Sequence, residues 1–195
     1  HYAIDLITTS KLGFASENRC VGIYALDESM GTVVTFRSDN VILATGGCGK
    51  VYLYTSNPDV ATGDGVAMAW RAGARVAKME FVQFHPTVLY HPKATSFLIS
   101  EALRGEGGIL LDKKGVPFMT KYDERKDLAP RDIVARGIWR QLRDGHRVFL
   151  DARSIGDRVE QRFPTVAGLC REHGFSLANE PVPVTPAAHY HMGGI

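Results

Sequence analysis

Cysteine is scarce: Cys20, Cys48 and Cys170 are the three cysteines in 195 residues, far apart and without a CxxC pair. This argues against a disulfide framework or a structural zinc site and fits a reducing cytoplasm. Charge of one sign is also lacking. The formal net charge is +2 and no basic run occurs, so nucleic acid is not an expected partner. No apolar stretch approaches the ~20 residues that a membrane span needs. A GxGxxG turn is absent as well, so the main phosphate-binding turn of a Rossmann unit does not lie in this sequence. An initiator Met is missing. The chain begins at His1, directly before a strand-like run, and stops in the Gly-rich Met192-Gly193-Gly194-Ile195. It reads as a piece of a longer protein.

What is present looks like an ordinary soluble globular protein, with 45% hydrophobic and 23% charged residues. Residues 2–45 read as β-rich, with runs at Tyr2–Ile7, Val21–Leu26, Thr32–Phe36 and Asn40–Thr45. Val41-Ile42-Leu43-Ala44 is apolar without alternation, as expected of a strand buried on both faces of a mostly parallel sheet. A small-residue helix follows from Val66, ended by Gly73. From about Gln83 the texture changes to loops and mixed helices. Arg131–Leu142 carries a helical stripe of Ile133, Val134, Ile138 and Leu142, with Pro130 suited to the first helical position. Val148–Asp151 reads as a short strand. Asp157–His173 is amphipathic but must break or kink at Pro164. Pro181–Pro186 is expected to be extended.

Several residue groups suit the handling of a small anion and its protons, and each also has a purely structural reading. Thr45-Gly46-Gly47 either lines a ligand or is a tight strand-to-loop turn. Asp64 is either a helix N-cap or, between Gly63 and Gly65, a cofactor contact. Glu101 and Arg104 share a helical face, as a solvated pair or a proton relay. Arg131 sits in a first helical turn, where the helix dipole disfavours a cation but where it can grip an anion. His85, His189 and His191 lack carboxylate or Cys neighbours at ligand spacing, so no metal is expected. Taken together, the groups suggest a pocket for a dicarboxylate.

The motifs Ala44-Thr-Gly-Gly, Thr62-Gly-Asp-Gly, Glu80-Phe-Val-Gln-Phe-His-Pro-Thr, Glu101-Ala-Leu-Arg-Gly-Glu-Gly, Arg131-Asp-Ile-Val-Ala-Arg and His189-Tyr-His-Met-Gly-Gly occur in this order. The chain thereby resembles the flavoprotein family of succinate dehydrogenases, fumarate reductases and L-aspartate oxidases. Leu89-Tyr-His-Pro, Asp123-Glu-Arg, Leu128-Ala-Pro-Arg and Pro186-Ala-Ala-His resemble the aspartate-oxidising branch. The resemblance implies an α/β plus α+β fold, a partial FAD-binding, Rossmann-like domain of the glutathione-reductase type with an inserted capping domain. The expected boundaries are 1–82 for the FAD-binding part, 83–188 for the cap and 189–195 for the return. The implied cofactor is FAD, contacted by Ala44, Thr45, Gly46, Gly47 and Asp64. His85, His189 and Ser100 match substrate-binding positions, Ser100 standing where the family usually has threonine. Arg131 matches the essential arginine, and Glu101 with Arg104 matches a proton path, which makes these three the implied catalytic residues.

The implied reaction takes L-aspartate to iminoaspartate in the cytoplasm, with electrons passing to dioxygen or fumarate. Its product is expected to go to quinolinate synthase, hence to NAD biosynthesis. The alternatives are a succinate dehydrogenase or fumarate reductase flavoprotein subunit, and a non-catalytic dicarboxylate-binding module. The 195-residue piece alone is expected to be inactive.

Overall fold

A computed structural model describes residues 1–94 and 97–195. The chain divides into two compact units, one of His1–Val51, Asp59–Val82 and His191–Ile195, the other of Tyr52–Pro58 and Gln83–Tyr190. Among the described residues no helix is long and apolar enough to cross a membrane.

The first unit is built on a three-stranded antiparallel meander, β1 (Tyr2–Thr8), β2 (Cys20–Asp27) and β3 (Thr32–Arg37). Leu6, Ile7 and Ala25 are its buried apolar positions. Helix α1 (Asp64–Arg71) buries Met68 and Ala69. Its Arg71 donates through Nη2 to the Ile4 carbonyl and pairs with Asp5, tying the helix end to β1. Gly73 follows at φ +90°, a conformation that suits glycine after a helix.

Residues 41–45 depart from expectation. They form no strand, and Ile42 is 89% exposed. An apolar run becomes a doubly buried strand only when parallel neighbours flank it, and none of the described residues pairs with it. The named strand pairings are antiparallel, not the mostly parallel sheet that this run suggested.

The second unit holds a four-stranded sheet in the order β4 (Val82–Leu89), β7 (Val182–His191), β6 (Phe149–Asp151), β5 (Ile109–Leu111). Strand β4 replaces the loop expected from Gln83. Pro86 lies within it. Helices α2 (Ala102–Gly105), α3 (Arg131–Arg143), α4 (Arg158–Arg162) and α5 (Pro164–Glu172) complete the unit. The expected break falls at Phe163: Pro164 ends α4 and opens α5. Pro130 is the N-cap of α3 rather than its first residue, which leaves Arg131 in that place. One core joins these elements. Leu103, Leu110, Phe118, Met119, Val134, Ile138, Leu150 and Val182 are each at most 1% exposed.

Candidate functional site

The second unit brings His85, Glu101, Arg104, Arg131 and His189 together. Strand β4 carries His85, which is 1% exposed, with a ring that meets the His189 ring edge-on at 5.3 Å between centroids. The Thr87 backbone N–H donates to His85 Nδ1 at 3.2 Å. A backbone N–H can only donate, so Nδ1 is bare and the imidazole proton sits on Nε2. Thr87 is fully buried, and its hydroxyl donates to the Ile99 carbonyl at 2.9 Å. Ile99 N–H returns a bond to the Thr87 carbonyl at 2.9 Å. This short pairing sets Ser100 and Glu101 beside β4.

Glu101 precedes α2, and the buried Leu103 anchors that turn in the core. The Glu101 carboxylate bridges two arginines: Arg131 Nε donates to Oε2 at 2.6 Å, and Arg104 Nη2 stands 3.6 Å from Oε1. Burial works to raise the Glu101 pKa, but the hydrogen bond and charge of Arg131, with the charge of Arg104, hold it below the usual range. Arg131 also donates through Nη1 to Gln83 Oε1 at 3.1 Å. Asp132 does not share in this cluster; it pairs with Arg136 on the exposed face of α3.

Arg104 is the most buried cation of the group, at 2% exposure. Its Nη1 donates to the Asp127 carbonyl, while Nε and Nη2 have no hydrogen-bond partner. Burial lowers its pKa. Asp127 shifts in the opposite direction for the same reason, burial raising its carboxyl pKa although Oδ1 accepts the Leu110 N–H at 2.8 Å.

His85 is pushed down to about 4, by burial first and by the Arg131 charge next. His189 is lowered by the same two causes in the same order. Both rings are therefore mostly neutral at neutral pH. Chemically, the cluster offers one guanidinium already paired with a carboxylate, a second buried guanidinium behind it, and two neutral imidazoles. Among the described residues, no group of three or more His, Cys, Asp or Glu could hold a metal ion.

Segment 52–58 is the contribution that the sequence reading did not single out. Ala188 N–H donates to the Tyr54 carbonyl, and the Ala188 carbonyl accepts from Ser56 N and Thr55 Oγ1, each at 2.9 Å. Asn57 Nδ2 donates to the His189 carbonyl at 2.8 Å, and Ser56 Oγ lies 2.5 Å from His189 Nδ1. Asn57-Pro58-Asp59 has the composition of a turn, and no local signal links it to residue 189. Ser100 is half-buried and its hydroxyl accepts the Ala102 N–H at 3.2 Å, so the side chain serves as a turn cap.

The remaining candidates lie in the first unit. Ala44 to Gly47 carry no regular secondary structure, and Gly46 has φ +72° with open space where a Cβ would stand. A Cβ on Gly47 would come 2.6 Å from His191 Cβ, and one on Gly65 would come 1.8 Å from Thr45 Oγ1. Asp64 is not the cap considered for it. Left-handed Gly63 takes the N-cap place, Asp64 is the first helical residue, and its Oδ2 accepts from the exposed Tyr2 hydroxyl at 3.3 Å. His191 Nδ1 meets Cys48 Sγ at 3.5 Å, while its buried Nε2 has no hydrogen-bond partner among the described residues.

Comparison with known proteins places this arrangement. The sequence profile of the family described as FAD binding domain matches residues 1–195. The chain belongs to that family. It is 56% identical to L-aspartate oxidase 1 of Ralstonia nicotianae over 100% of this chain and 37% of that protein. It is 53% identical to the L-aspartate oxidase of Pseudomonas aeruginosa, over 99% of this chain and 36% of that protein. The chain thus spans little more than a third of the length of the curated relatives it matches. Among solved structures, an E. coli quinol fumarate reductase superposes with a TM-score of 0.88 and 34% identity, covering 100% of this chain and 35% of that one.

The fold is thus a mixed α/β one with antiparallel sheets, consistent with part of an FAD-binding domain, and FAD is the cofactor that membership indicates. The first unit fits such a group. Gly46 leaves room for close approach, Gly47 and Gly65 permit packing that any side chain would block, and the His191 Nε2 is an unsatisfied polar atom in the same unit.

Proposed function

We propose that the full-length protein is an FAD-dependent oxidoreductase that converts L-aspartate to iminoaspartate, passing electrons to dioxygen or fumarate. The observation that carries this reading is the cluster of His85, His189 and Arg131 around the Glu101–Arg131 ion pair, which offers two neutral N–H donors and one cation. A dicarboxylate needs such a set: its charge is met without three buried cations repelling one another.

Bound FAD, held in this reading by Ala44, Thr45, Gly46, Gly47 and Asp64, supplies the acceptor for the two electrons of the Cα–H bond. His85 Nε2–H and His189 hold one carboxylate and fix the substrate's orientation. Ser100 adds its hydroxyl to substrate binding. Arg131 holds the second carboxylate and stands where a proton on the substrate is gained or lost. Glu101 and Arg104 lead protons between Arg131 and the protein interior. Boundaries at 82/83 and 188/189 divide FAD-binding from capping functions. In the cell we place the protein in the cytoplasm, its product passing to quinolinate synthase.

Identity to proteins called L-aspartate oxidase, at 56% and 53%, favours aspartate over succinate as substrate, against 34% for the fumarate reductase. Full-length protein reconstituted with FAD, offered each compound separately without oxygen, tests this. Bleaching of the flavin by L-aspartate but not succinate is the expected result. Reduction by succinate and not by aspartate overturns the reading in favour of a dehydrogenase subunit.

A further inference from the structure

From the hydrogen bonds around His189 we infer that Ser56 is a positioning residue, which fixes His189 as the tautomer with its proton on Nε2. The inference deepens the dicarboxylate site proposed above and rests on that reading for its binding and turnover readouts, but not for its NMR readout. Among the described residues Ser56 Oγ has two acceptors within reach: His189 Nδ1 at 2.5 Å and the Ala188 carbonyl at 3.4 Å. The Ala188 carbonyl already accepts from Ser56 N and Thr55 Oγ1 at 2.9 Å each. Two bonds use both lone pairs of a carbonyl oxygen. The hydroxyl proton therefore goes to Nδ1, and the imidazole proton goes to Nε2.

His85 reaches the same state by another route, since the Thr87 N–H occupies its Nδ1. Two unrelated donors, one backbone and one side chain, thus impose one tautomer on two rings 5.3 Å apart. Burial first, and the Arg131 charge next, keep both rings neutral, so tautomer choice decides whether each ring donates to a carboxylate or repels it. Segment 54–57 is pinned for this duty by the parallel bridge of Thr55 to Ala188 and by the Asn57 bond to the His189 carbonyl.

Without the hydroxyl, the His189 proton is free to sit on Nδ1, which turns a lone pair toward the anion. A protonated ring carries N–H on both nitrogens and needs no such choice. This gives a signature that a packing role lacks. In FAD-loaded full-length protein, Ser56→Ala is expected to weaken binding of succinate, a non-reacting dicarboxylate probe in this reading, by about tenfold at pH 8. The probe is read by the change it causes in the flavin spectrum. The deficit should shrink toward unity as pH falls and His189 protonates, and Ser56→Thr should restore wild-type binding at every pH. KM for L-aspartate should follow the same pattern, with kcat changed far less.

A loss that is the same at every pH, or one that Ser56→Thr fails to restore while the variant keeps its unfolding midpoint, overturns the inference. Nitrogen NMR of the two histidines gives an independent check, because a wild-type His189 with its proton on Nδ1 refutes it directly. Should aspartate not be oxidised at all, the NMR result still decides the role of Ser56.

Discussion

Replacing Arg104 by Met separates function from stability more sharply than any other change in the cluster. The side chain is 1% exposed, makes one hydrogen bond, to the Asp127 carbonyl, and leaves Nε and Nη2 without hydrogen-bond partners among the described residues. Desolvating such a cation costs several kcal/mol, which one carboxylate at 3.6 Å only partly offsets. Methionine is of similar length and removes that penalty. It orphans the Asp127 carbonyl, a loss of about 1–3 kcal/mol. The two effects oppose each other, so Arg104→Met should lie within about 2 kcal/mol of wild type in urea unfolding of the holoenzyme. Turnover of L-aspartate should nevertheless fall about 100-fold or more, the usual scale for loss of an acid–base group. Glu101→Gln is the companion variant. It leaves both arginines without their shared carboxylate, but Glu101 is 43% exposed, so solvent screening limits the loss to about 1–2 kcal/mol. An Arg104→Met protein that loses more than about 3 kcal/mol while keeping kcat would refute the reasoning, since Arg104 would then be a structural residue.

Three further outcomes are expected. His85 has its pKa lowered from 6.5 to about 4, so the unfolded chain takes up a proton first as pH falls; the stability present above pH 6.5 is lost progressively down to about pH 4, by about 3 kcal/mol, and urea unfolding of His85→Gln should show a correspondingly flatter profile. Gly65→Ala puts a Cβ 1.8 Å from Thr45 Oγ1, so FAD retention on gel filtration should drop at least about tenfold, and Thr45→Ala in the same chain should recover part of it; unchanged retention would remove this loop from the proposed cofactor site. Leu103→Ala, at a fully buried position within α2, should cost about 2–5 kcal/mol in urea unfolding and lower turnover by loosening Glu101 and Arg104, whereas a loss below about 1 kcal/mol would show that the turn is not anchored there.

Elements whose signal is local were legible in the sequence. The stripe of Val134 and Ile138 marks α3, and the Pro164 break between α4 and α5 follows from ring chemistry alone. Val41–Ala44 shows where local signal fails. The run has the composition of a buried parallel strand, but a strand is a property of its neighbours, and the described residues pair none with it. Strand β4 failed in the other direction: the texture from Gln83 suggested loop, while pairing with β7, about a hundred positions along the chain, makes it a strand.

The site shows the same division between short and long range. Glu101 and Arg104 could be paired from their spacing of three, and the 3.6 Å contact is there. Spacing said nothing of Arg131, thirty positions along from Glu101, yet its 2.6 Å bond to Glu101 gives the cluster its charge pattern. Ser56 lay further still from its partner, at a separation of 133 positions, inside a Ser-Asn-Pro-Asp run with every mark of a turn. A turn residue and a tautomer-setting residue look alike in sequence because both use a short hydroxyl close to a proline. What distinguishes them is the destination of one proton. That destination is set by the Ala188 carbonyl, whose two lone pairs are already taken, and no local pattern encodes it.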